Sequence, residues 1–361
     1  MATKGDSRWS QIERELELTR GIAGDTHVSM VLNEPAQSGV AVDYDWHSIT
    51  TEYLDDSEKS ELMTGLRDAG FAATIYDGEK DFLGAVLNGD WKRKTFLNKY
   101  VFNTTGSGIG RARTSLIPSF CDLFRIPLCS ADGLTAALLE NKFYTFRLLA
   151  ALGFMVPQSS LYVTKLGWNG APPSIGKKVI CKPCRECSSI GIDERSIFVY
   201  EPEKMTDIEK MARTFQQPIL VQEFIAGYEV EVPVFPCPQP VSPAAIGIMI
   251  KDQEHLGDAV LENRNIIAGD YGFYNFDAFD NQIAEKLKST AEAAYQALCF
   301  SGFARVDWRI TPNGDAYITD VNTPPHLTHH SSCNLVFELG GYQHADLMAS
   351  LVTVGRLNAA P

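Results

Sequence analysis

Two aspartates near the C-terminal end of the chain are spaced so that their carboxylates could come together. Apolar and polar residues alternate over residues 303–308 and again over residues 316–321, which predicts two strands. The segment Pro312-Asn313-Gly314-Asp315 between them is typical of a tight turn, so the strands are predicted to form a hairpin. On that hairpin Asp307 and Asp320 fall on neighbouring strands.

Two further polar residues share the face of the hairpin that carries these aspartates. Asn322 lies two positions after Asp320, and Arg305 lies two positions before Asp307. Carboxylate and amide oxygens are ligands that Mg²⁺ prefers where it also holds nucleotide phosphates. The spacing therefore predicts a magnesium site, although a solvated hairpin edge with incidental acids would have the same pattern.

The composition favours a globular protein with two or three domains. The chain has 361 residues, of which 45% are hydrophobic, enough to build a sizeable core. It has 45 acidic residues against 32 lysines and arginines, a net charge of −13, and no basic run, which argues against a nucleic-acid partner. Because the sequence shows no signal-peptide core and no long apolar run, we expect a cytoplasmic protein without a membrane partner.

Three of the eight cysteines have a spacing that metal clusters also use. Cys181, Cys184 and Cys187 form a C-x₂-C-x₂-C pattern, which opens some iron–sulfur sites. No fourth cysteine follows closely, and the others are scattered through mostly apolar surroundings, as is typical of reduced core cysteines. An iron–sulfur protein is therefore one alternative function, whereas a disulfide framework is not expected in a long chain without a secretion signal.

Strands and helices alternate in the N-terminal third of the sequence. The residue pattern predicts strands at 27–32, 71–76 and 100–103 and helices at 57–69 and 112–124. Such alternation is typical of a parallel α/β domain.

Two segments of this N-terminal part have a less regular pattern. Residues 1–26 are polar and are predicted to be partly loose. Residues 106–110 form a G-x-G-x-G turn between a strand and a helix, but the acidic residue of a nicotinamide-binding fingerprint is not found at its expected distance. We therefore interpret this turn as a glycine-rich approach to some other ligand.

The rest of the chain also contains clear secondary-structure signals. One long helix is predicted over residues 135–152, and it contains Lys142. Further elements are predicted as a strand–loop–strand unit at 179–200, a helix at 206–215, a strand at 219–224, a helix at 281–298 and a terminal helix near 343–357.

Four segments match the sequence motifs of one enzyme family. They are Asn141-Lys142, residues 181–191 (CKPCRECSSIG), residues 221–229 (VQEFIAGYE) and the hairpin at 305–325. In this order and at these spacings they resemble the D-alanine–D-alanine ligase branch of the ATP-grasp enzymes. The resemblance covers residues 100–335, and four motifs in register are more specific than any one of them.

The resemblance implies a chain of the α/β (α+β) class with the ATP-grasp fold. Three subdomains are expected, at residues 1–128, 129–217 and 218–361. The first is the parallel α/β domain, and the nucleotide would be held between the central and the C-terminal subdomain.

The resemblance also implies which residues bind ATP. Lys142 and Lys182 would bind the phosphates as point charges. Gln222 occupies the position that faces the adenine, where its side-chain oxygen can still accept a hydrogen bond. The remaining nucleotide-binding residues implied by the resemblance are Glu186, Ser189, Glu223, Ile225, Glu229 and Arg264.

The metal ligands and two catalytic residues follow from the same resemblance. Asp307, Asp320 and Asn322 would hold two Mg²⁺ ions, for which Mn²⁺ is an alternative. Arg305 would stabilise the charge that develops on the reacting acyl group, and Ser188 would be a further catalytic residue.

The substrate side of the chain departs from the family pattern. Arg113 stands where the family has a catalytic glutamate, and His326 stands where it has a glycine. Of the motif that would bind an ammonium group only Glu34 remains, while Ser331 matches a hydroxyl that binds an acceptor's carboxylate. We expect Arg113 to pair with the carboxylate of a larger or more acidic substrate, and His326 to contact it.

The implied function is an ATP-dependent ligase. It would activate a small-molecule carboxylate as an acyl phosphate and couple it to an amine, with a product other than D-alanyl-D-alanine. The alternatives are a ligase with a thiol or hydroxyl acceptor, and a nucleotide-binding protein without turnover. The resemblance also implies a homodimer.

Overall fold

A computed structural model gives the fold and describes residues 7–33, 50, 53–93 and 95–359. The helices are α1 (Ser7–Arg20), α2 (Asp56–Asp68), α3 (Gly78–Leu87), α4 (Leu116–Phe124), α5 (Gly133–Glu140), α6 (Lys142–Ala151), α7 (Met205–Thr214), α8 (Asn263–Ala268), α9 (Phe276–Phe279), α10 (Asn281–Ala297), α11 (Ser332–Leu339) and α12 (His344–Ala359). The strands are β1 (Thr26–Leu32), β2 (Ala72–Asp77), β3 (Asn98–Asn103), β4 (Ser159–Val163), β5 (Gly167–Asn169), β6 (Lys178–Pro183), β7 (Ile197–Val199), β8 (Ile219–Glu223), β9 (Gly227–Pro236), β10 (Pro240–Val241), β11 (Ile246–Ile250), β12 (His255–Gly257), β13 (Tyr271–Asn275), β14 (Ala304–Ile310) and β15 (Ala316–Asn322). Glu34 lies outside the described residues, so its role in substrate binding stays a prediction.

The strands form three sheets, which we name by their order in the chain. The N-terminal sheet has the order β2-β1-β3, and its strands are parallel, as the alternation of strands and helices predicts. The middle sheet has the order β5-β4-β8-β6-β7. The C-terminal sheet has the order β13-β11-β9-β14-β15, with β10 and β12 paired to β9. β8 belongs to the middle sheet, so a division of the chain into units by its sheets places the second boundary after Glu223. The predicted subdomain boundary at 217/218 stays a prediction.

Two apolar cores hold these sheets together. One core joins the N-terminal sheet to the C-terminal sheet, with Met30 of β1, Phe235 of β9 and Leu351 of α12 in one cluster. The other packs Phe146 of α6 and Ala291 of α10 against the opposite part of the C-terminal sheet. Among the described residues, no helix is long and apolar enough to cross a lipid bilayer.

The N-terminal segment is more ordered than its composition predicts. Residues 7–20 form α1, and the buried residues Trp9, Ile12 and Leu16 lie along one face of this helix. The Trp9 ring stacks on Tyr342 with 4.9 Å between the ring centroids. The prediction of a loose segment is therefore wrong over α1, because the 9/12/16 spacing is helical although charged residues separate its members.

The long helix predicted over residues 135–152 is broken at Asn141. This residue has φ −96° and ψ 89°, and its side-chain oxygen accepts a hydrogen bond from the Tyr144 N–H. Asparagine is a favoured N-cap residue because its side chain satisfies a backbone donor in the first turn. The break places Lys142 at the start of α6, where its N–H donates to the Cys184 carbonyl at 3.0 Å.

The glycine-rich turn after β3 is fixed by hydrogen bonds within the protein. The Gly106 N–H donates to Asn33 Oδ1 at 3.0 Å, and the Ser107 N–H donates to Glu79 Oε1 at 2.9 Å. The Ser107 hydroxyl donates to the other Glu79 oxygen at 2.7 Å. These bonds account for the turn's position without a ligand.

Glu79 is therefore expected to stabilise the fold in a pH-dependent way. Burial alone would raise the pKa of Glu79, but the hydrogen bonds from Ser107 and Asn33 lower it. A carboxyl with a lowered pKa stabilises the folded state above its ordinary pKa of 4.5, and this stability is lost as the pH falls through the folded-state pKa. We predict that Glu79→Gln lowers the free energy of unfolding at neutral pH by about 1–3 kcal/mol.

Urea unfolding near neutral pH and at about pH 4 measures this effect. The exposed Glu17→Gln is the matched control, for which we expect no change beyond about 0.5 kcal/mol. The difference between wild type and Glu79→Gln should shrink on acidification. A difference that is equal at both pH values would contradict the assignment.

Candidate active site

The three sheets surround one large cavity. Its volume is about 560 Å³, and residues from each sheet line it, including Asn103 of β3, Lys182 of β6 and Asp307 of β14. Such a volume suits a nucleotide or a similar small molecule. Ionised groups from distant parts of the chain meet at its walls.

Two lysines line the cavity at the middle sheet. The Lys142 Nζ lies 2.5 Å from Asp320 Oδ2. Burial alone would lower the pKa of Lys142, but the Asp320 carboxylate raises it. For Lys182, burial and the neighbouring Lys142 lower the pKa, with Asp320 opposing them. The two lysine side chains would strongly attract an anion that lies between them, because its negative charge would relieve the repulsion between the two ammonium groups.

The predicted hairpin is confirmed, and it brings the candidate metal ligands together. Asp307 pairs with Asp320 across the two strands, and Arg305 pairs with Asn322. Arg305 Nε lies 2.7 Å from Asp307 Oδ1, and the Asn322 amide nitrogen donates to Asp307 Oδ2 at 2.8 Å. All four side chains line the cavity.

The charges around Asp307 favour a bound cation. Burial raises the pKa of Asp307 to about 7; Arg305 opposes this shift, while the Glu231 and Asp320 carboxylates add to it. The donors suit Mg²⁺, since two carboxylates and an amide leave positions for water and phosphate oxygens. In the described part of the chain no group of three or more His, Cys, Asp or Glu side chains is arranged to hold a metal ion by itself, so the metal would depend on those further oxygens.

The residue predicted to face the adenine and two of its neighbours that were predicted to bind the nucleotide lie at the cavity wall. Gln222, Glu223 and Ile225 all line it. Gln222 is buried, and its amide nitrogen donates to the Ser159 hydroxyl at 3.3 Å, which leaves its oxygen for a ligand. The ring of Phe224, also at the wall, lies 5.1 Å from Lys178 Nζ. This polar edge beside an aromatic ring fits a flat base.

Glu229, which the resemblance implies as a nucleotide-binding residue at the ribose, has a partner within the protein. Arg309 Nη1 lies 3.0 Å from Glu229 Oε2, and Arg309 Nε donates to the Ile225 carbonyl at 2.9 Å. Arg309 was not predicted from the sequence; it lies on β14 and connects this strand to Glu229 of β9 and to the Ile225 carbonyl. Its position two residues after Asp307 on the same strand face was the available signal.

Ser188 and Ser189 lie on a loop over the cavity. Both have left-handed backbone conformations, with φ of 49° and 52°. The Ser189 hydroxyl donates to the Leu261 carbonyl at 2.8 Å, and the Asn263 amide donates to the Ser188 carbonyl at 2.8 Å. The loop is thus tied to the segment before α8, and both serines line the cavity.

Arg113 does not have the position that was predicted for it. Its guanidinium lies in a buried ion pair with Glu186, with Nη2 and Oε2 2.9 Å apart, and Glu140 is 3.5 Å from its Nε. The Gln217 amide donates to Glu186 at 2.6 Å. Arg113 therefore pairs with Glu186, two residues before Ser188, and does not line the cavity, so the structure does not support the expected pairing of Arg113 with a substrate carboxylate.

The three remaining predicted residues differ in their relation to the cavity. Arg264 has an exposed side chain that pairs with Glu262, and the structure does not bring it to the cavity wall. Ser331 lines the cavity, but its hydroxyl donates to the Thr328 carbonyl and caps α11. His326 also lines the cavity, and its Nε2 lies 3.1 Å from Glu58 Oε1.

Three further residues with polar side chains line the cavity and were not predicted from the sequence. They are Glu58, Glu231 and Tyr271. Burial raises the pKa of Tyr271, and the Glu231 carboxylate raises it further. For Glu231 a signal existed, because Glu229-Val230-Glu231-Val232 alternates and places both glutamates on one face.

The cysteines of the C-x₂-C-x₂-C pattern do not form a common site. Cys181 packs among apolar residues of one core cluster and Cys184 among those of another, while Cys187 is exposed. Burial raises the pKa of the Cys181 and Cys184 thiols, which disfavours the thiolates that a cluster needs. The geometry gives no support to the iron–sulfur alternative.

Comparison with known families identifies the C-terminal half of the chain. The family model described as D-ala D-ala ligase C-terminus matches residues 172–353, which is more than half of the 361 residues. The D-alanine–D-alanine ligase of Trichlorobacter lovleyi is 28% identical over 226 residues, covering 59% of this chain and 64% of the relative. That of Corynebacterium efficiens is 28% identical over 242 residues, covering 63% and 62%. The chain thus matches less than two thirds of the length of these two relatives.

A solved structure has the same fold over almost the whole chain. The D-alanine–D-alanine ligase from Bacillus anthracis, complexed with ATP, superimposes with a TM-score of 0.66 at 14% sequence identity. The match covers 92% of this chain and 98% of that one. At this identity the likeness concerns the fold alone, which is the α+β ATP-grasp fold, so the fold prediction is confirmed.

Proposed function

Because the chain belongs to the D-Ala-D-Ala ligase C-terminus family, we propose that it is an ATP-dependent ligase that joins a carboxylate to an amine. A substrate carboxylate attacks the γ-phosphate of ATP, which gives an acyl phosphate and ADP. The amine then attacks the acyl carbon, loses a proton and displaces phosphate, which leaves an amide. The observation that carries the proposal is the meeting of Lys142 and Lys182 with Asp307 and Asp320 in one cavity.

The protein's contribution to this reaction is positioning and charge neutralisation. Lys142 and Lys182 would bind the phosphates, and Asp307, Asp320 and Asn322 would hold Mg²⁺. The metal supplies neutralisation of charge on the phosphate oxygens when it is bound. The proposal includes two Mg²⁺ ions per site, since two carboxylates face each other across the hairpin.

Arg305 has the position and the orientation to act on the reacting acyl group. Asp307 holds its guanidinium through two hydrogen bonds, at 2.7 and 2.8 Å. A guanidinium fixed in this way needs no reorganisation when negative charge develops beside it. We propose that Arg305 stabilises the acyl phosphate and the tetrahedral species that follows it.

The substrate pair is proposed to differ from two D-alanines. The position of a catalytic glutamate in the family is taken by Arg113, which pairs with Glu186. His326 and Glu58 form a polar pair at the substrate end of the cavity. The proposal extends to a cytoplasmic homodimer, for which sedimentation velocity of the purified protein is the test.

Release of ADP and phosphate across a panel of amino acids, offered singly and in pairs with ATP and Mg²⁺, tests the function. We expect release that requires one particular pair. Lys182→Met should weaken ATP binding about 10- to 100-fold, because a charged hydrogen bond to phosphate contributes about 1.5–3 kcal/mol. The exposed Lys286→Met is the matched control and should behave as wild type.

Two other outcomes have a definite meaning. Release only with thiol or alcohol acceptors would replace the amine in the proposal. ATP binding that Lys182→Met leaves unchanged would contradict the placement of the phosphates.

A further inference from the structure

Glu231 is a buried acid at the cavity wall that the proposed reaction does not yet use. It lies on β9, where Val230 and Val232 point into the apolar core while Glu229 and Glu231 line the cavity. Its side chain is 6% exposed. An ionised carboxylate at such a position is costly unless both of its oxygens have partners.

Only one oxygen of Glu231 has a partner among the described residues. Glu231 Oε1 lies 3.1 Å from Arg305 Nη2. The other oxygen, Oε2, is buried and accepts no hydrogen bond from the part of the chain that the structure describes. A buried acceptor in this state favours a ligand that brings a donor.

The charges around Arg305 point to the kind of donor. Asp307 and Glu231 both contact this one guanidinium, so two carboxylates face a single cation. Tyr271 and His330 line the same cavity as Glu231, and the centroids of their two rings are 4.8 Å apart. This acidic corner with aromatic walls suits a small organic cation better than a neutral or anionic group.

We infer that Glu231 binds the ammonium group of an amino-acid substrate. The inference rests on the proposed function, because Arg305 is then the group beside the substrate's reacting carboxylate. In an α-amino acid the ammonium is separated from the carboxylate by a single carbon, so a carboxylate at Arg305 places the ammonium near Glu231. The arrangement makes Glu231 a specificity-determining residue, and it does not need Glu34.

Isothermal titration calorimetry with pairs of ligands that differ only in the amino group tests the inference. Each amino acid of the panel, such as alanine, is compared with its amine-free acid, such as propionate, in the presence of Mg²⁺ and a non-hydrolysable ATP analogue. We expect wild type to bind at least one amino acid tenfold or more tightly than its amine-free counterpart. In Glu231→Gln this ratio should fall close to one.

Two more variants separate the role in binding from a role in folding. Glu231→Asp keeps the charge and should retain part of the preference for the amine. Glu229→Gln removes the neighbouring glutamate on the same face, and it should weaken nucleotide binding while the preference for the amine stays. Thermal melting of each variant establishes that it is folded.

The outcomes distinguish this inference from the proposed function. The inference is overturned if wild type binds no amino acid more tightly than its amine-free acid, and this result needs no variant. It is also overturned if Glu231→Gln keeps the preference while ADP release continues. A lost preference in Glu231→Gln, in a protein that never releases ADP, would support the binding site and contradict the ligase.

Discussion

Replacement of Asp307 by asparagine is expected to lower ATP-dependent ADP formation at least about a thousandfold. The change keeps the size of the side chain but removes a carboxylate that faces Asp320 and orients Arg305. Metal coordination and the fixed guanidinium each contribute several kcal/mol to stabilisation of the transition state, and about 1.4 kcal/mol corresponds to a tenfold change in rate. ADP release at saturating substrates, titrated with Mg²⁺, measures the effect.

Asp315→Asn on the same hairpin is the matched control. Asp315 is exposed in the turn and does not line the cavity, so its replacement should change the rate less than about twofold. Retained activity in Asp307→Asn at ordinary Mg²⁺ concentration would remove Asp307 from the metal site. Full loss of activity in both variants would indicate a structural effect of the hairpin.

Gly227→Ala is expected to destabilise the protein more than an alanine substitution at any other glycine near the predicted nucleotide-binding residues. Gly227 begins β9 with φ +144°, and a Cβ there would lie 1.8 Å from the Ile310 carbonyl oxygen. Strain of this kind and the displacement of β14 should together lower the free energy of unfolding by about 3 kcal/mol or more. Gly227 lies between Ile225 and Glu229, which are both predicted to bind the nucleotide, so ATP affinity should fall as well.

Thermal and urea unfolding with and without ATP measure both effects. Gly84→Ala is the control, because Gly84 lies within α3 and an added Cβ meets nothing within 4 Å. Alanine there should raise stability by about 0.5–1 kcal/mol. A Gly227→Ala protein as stable as wild type would show that β9 and β14 can separate without cost.

The family and the fold of this chain are confirmed, whereas the roles of its individual site residues are not. The resemblance to D-alanine–D-alanine ligases is confirmed by the family model, and the ATP-grasp fold by the solved structure. The roles of Ser188, Gln222, Ser331 and the other named residues stay predictions that the variants above can test. Arg113 and Arg264 show why, since each was assigned a role at the site by its alignment position, yet each pairs with an acid of the protein and neither lines the cavity.

The sequence alone determined those features of this protein that depend on the geometry of neighbouring residues in the chain. The turn and the two-residue period of the strands are enough to place Asp307 and Asp320 on neighbouring strands of one hairpin, and the structure has this hairpin. The register shift next to Asp307, which sets the two aspartates opposite each other, was not predicted. The alternation of strands and helices in the N-terminal third likewise predicts the parallel sheet. These features involve residues that are close in the chain, so the pattern contains the information.

Only the tertiary structure decided which charged groups meet. Arg113 and Glu186 are 73 positions apart, and Lys142 and Asp320 are 178 apart, yet each pair forms an ion contact. Arg305 likewise contacts Glu231 of another strand. Nothing in local spacing selects among the many acids of the chain, because a partner is chosen by the packing of distant elements and by the cost of leaving a buried charge alone.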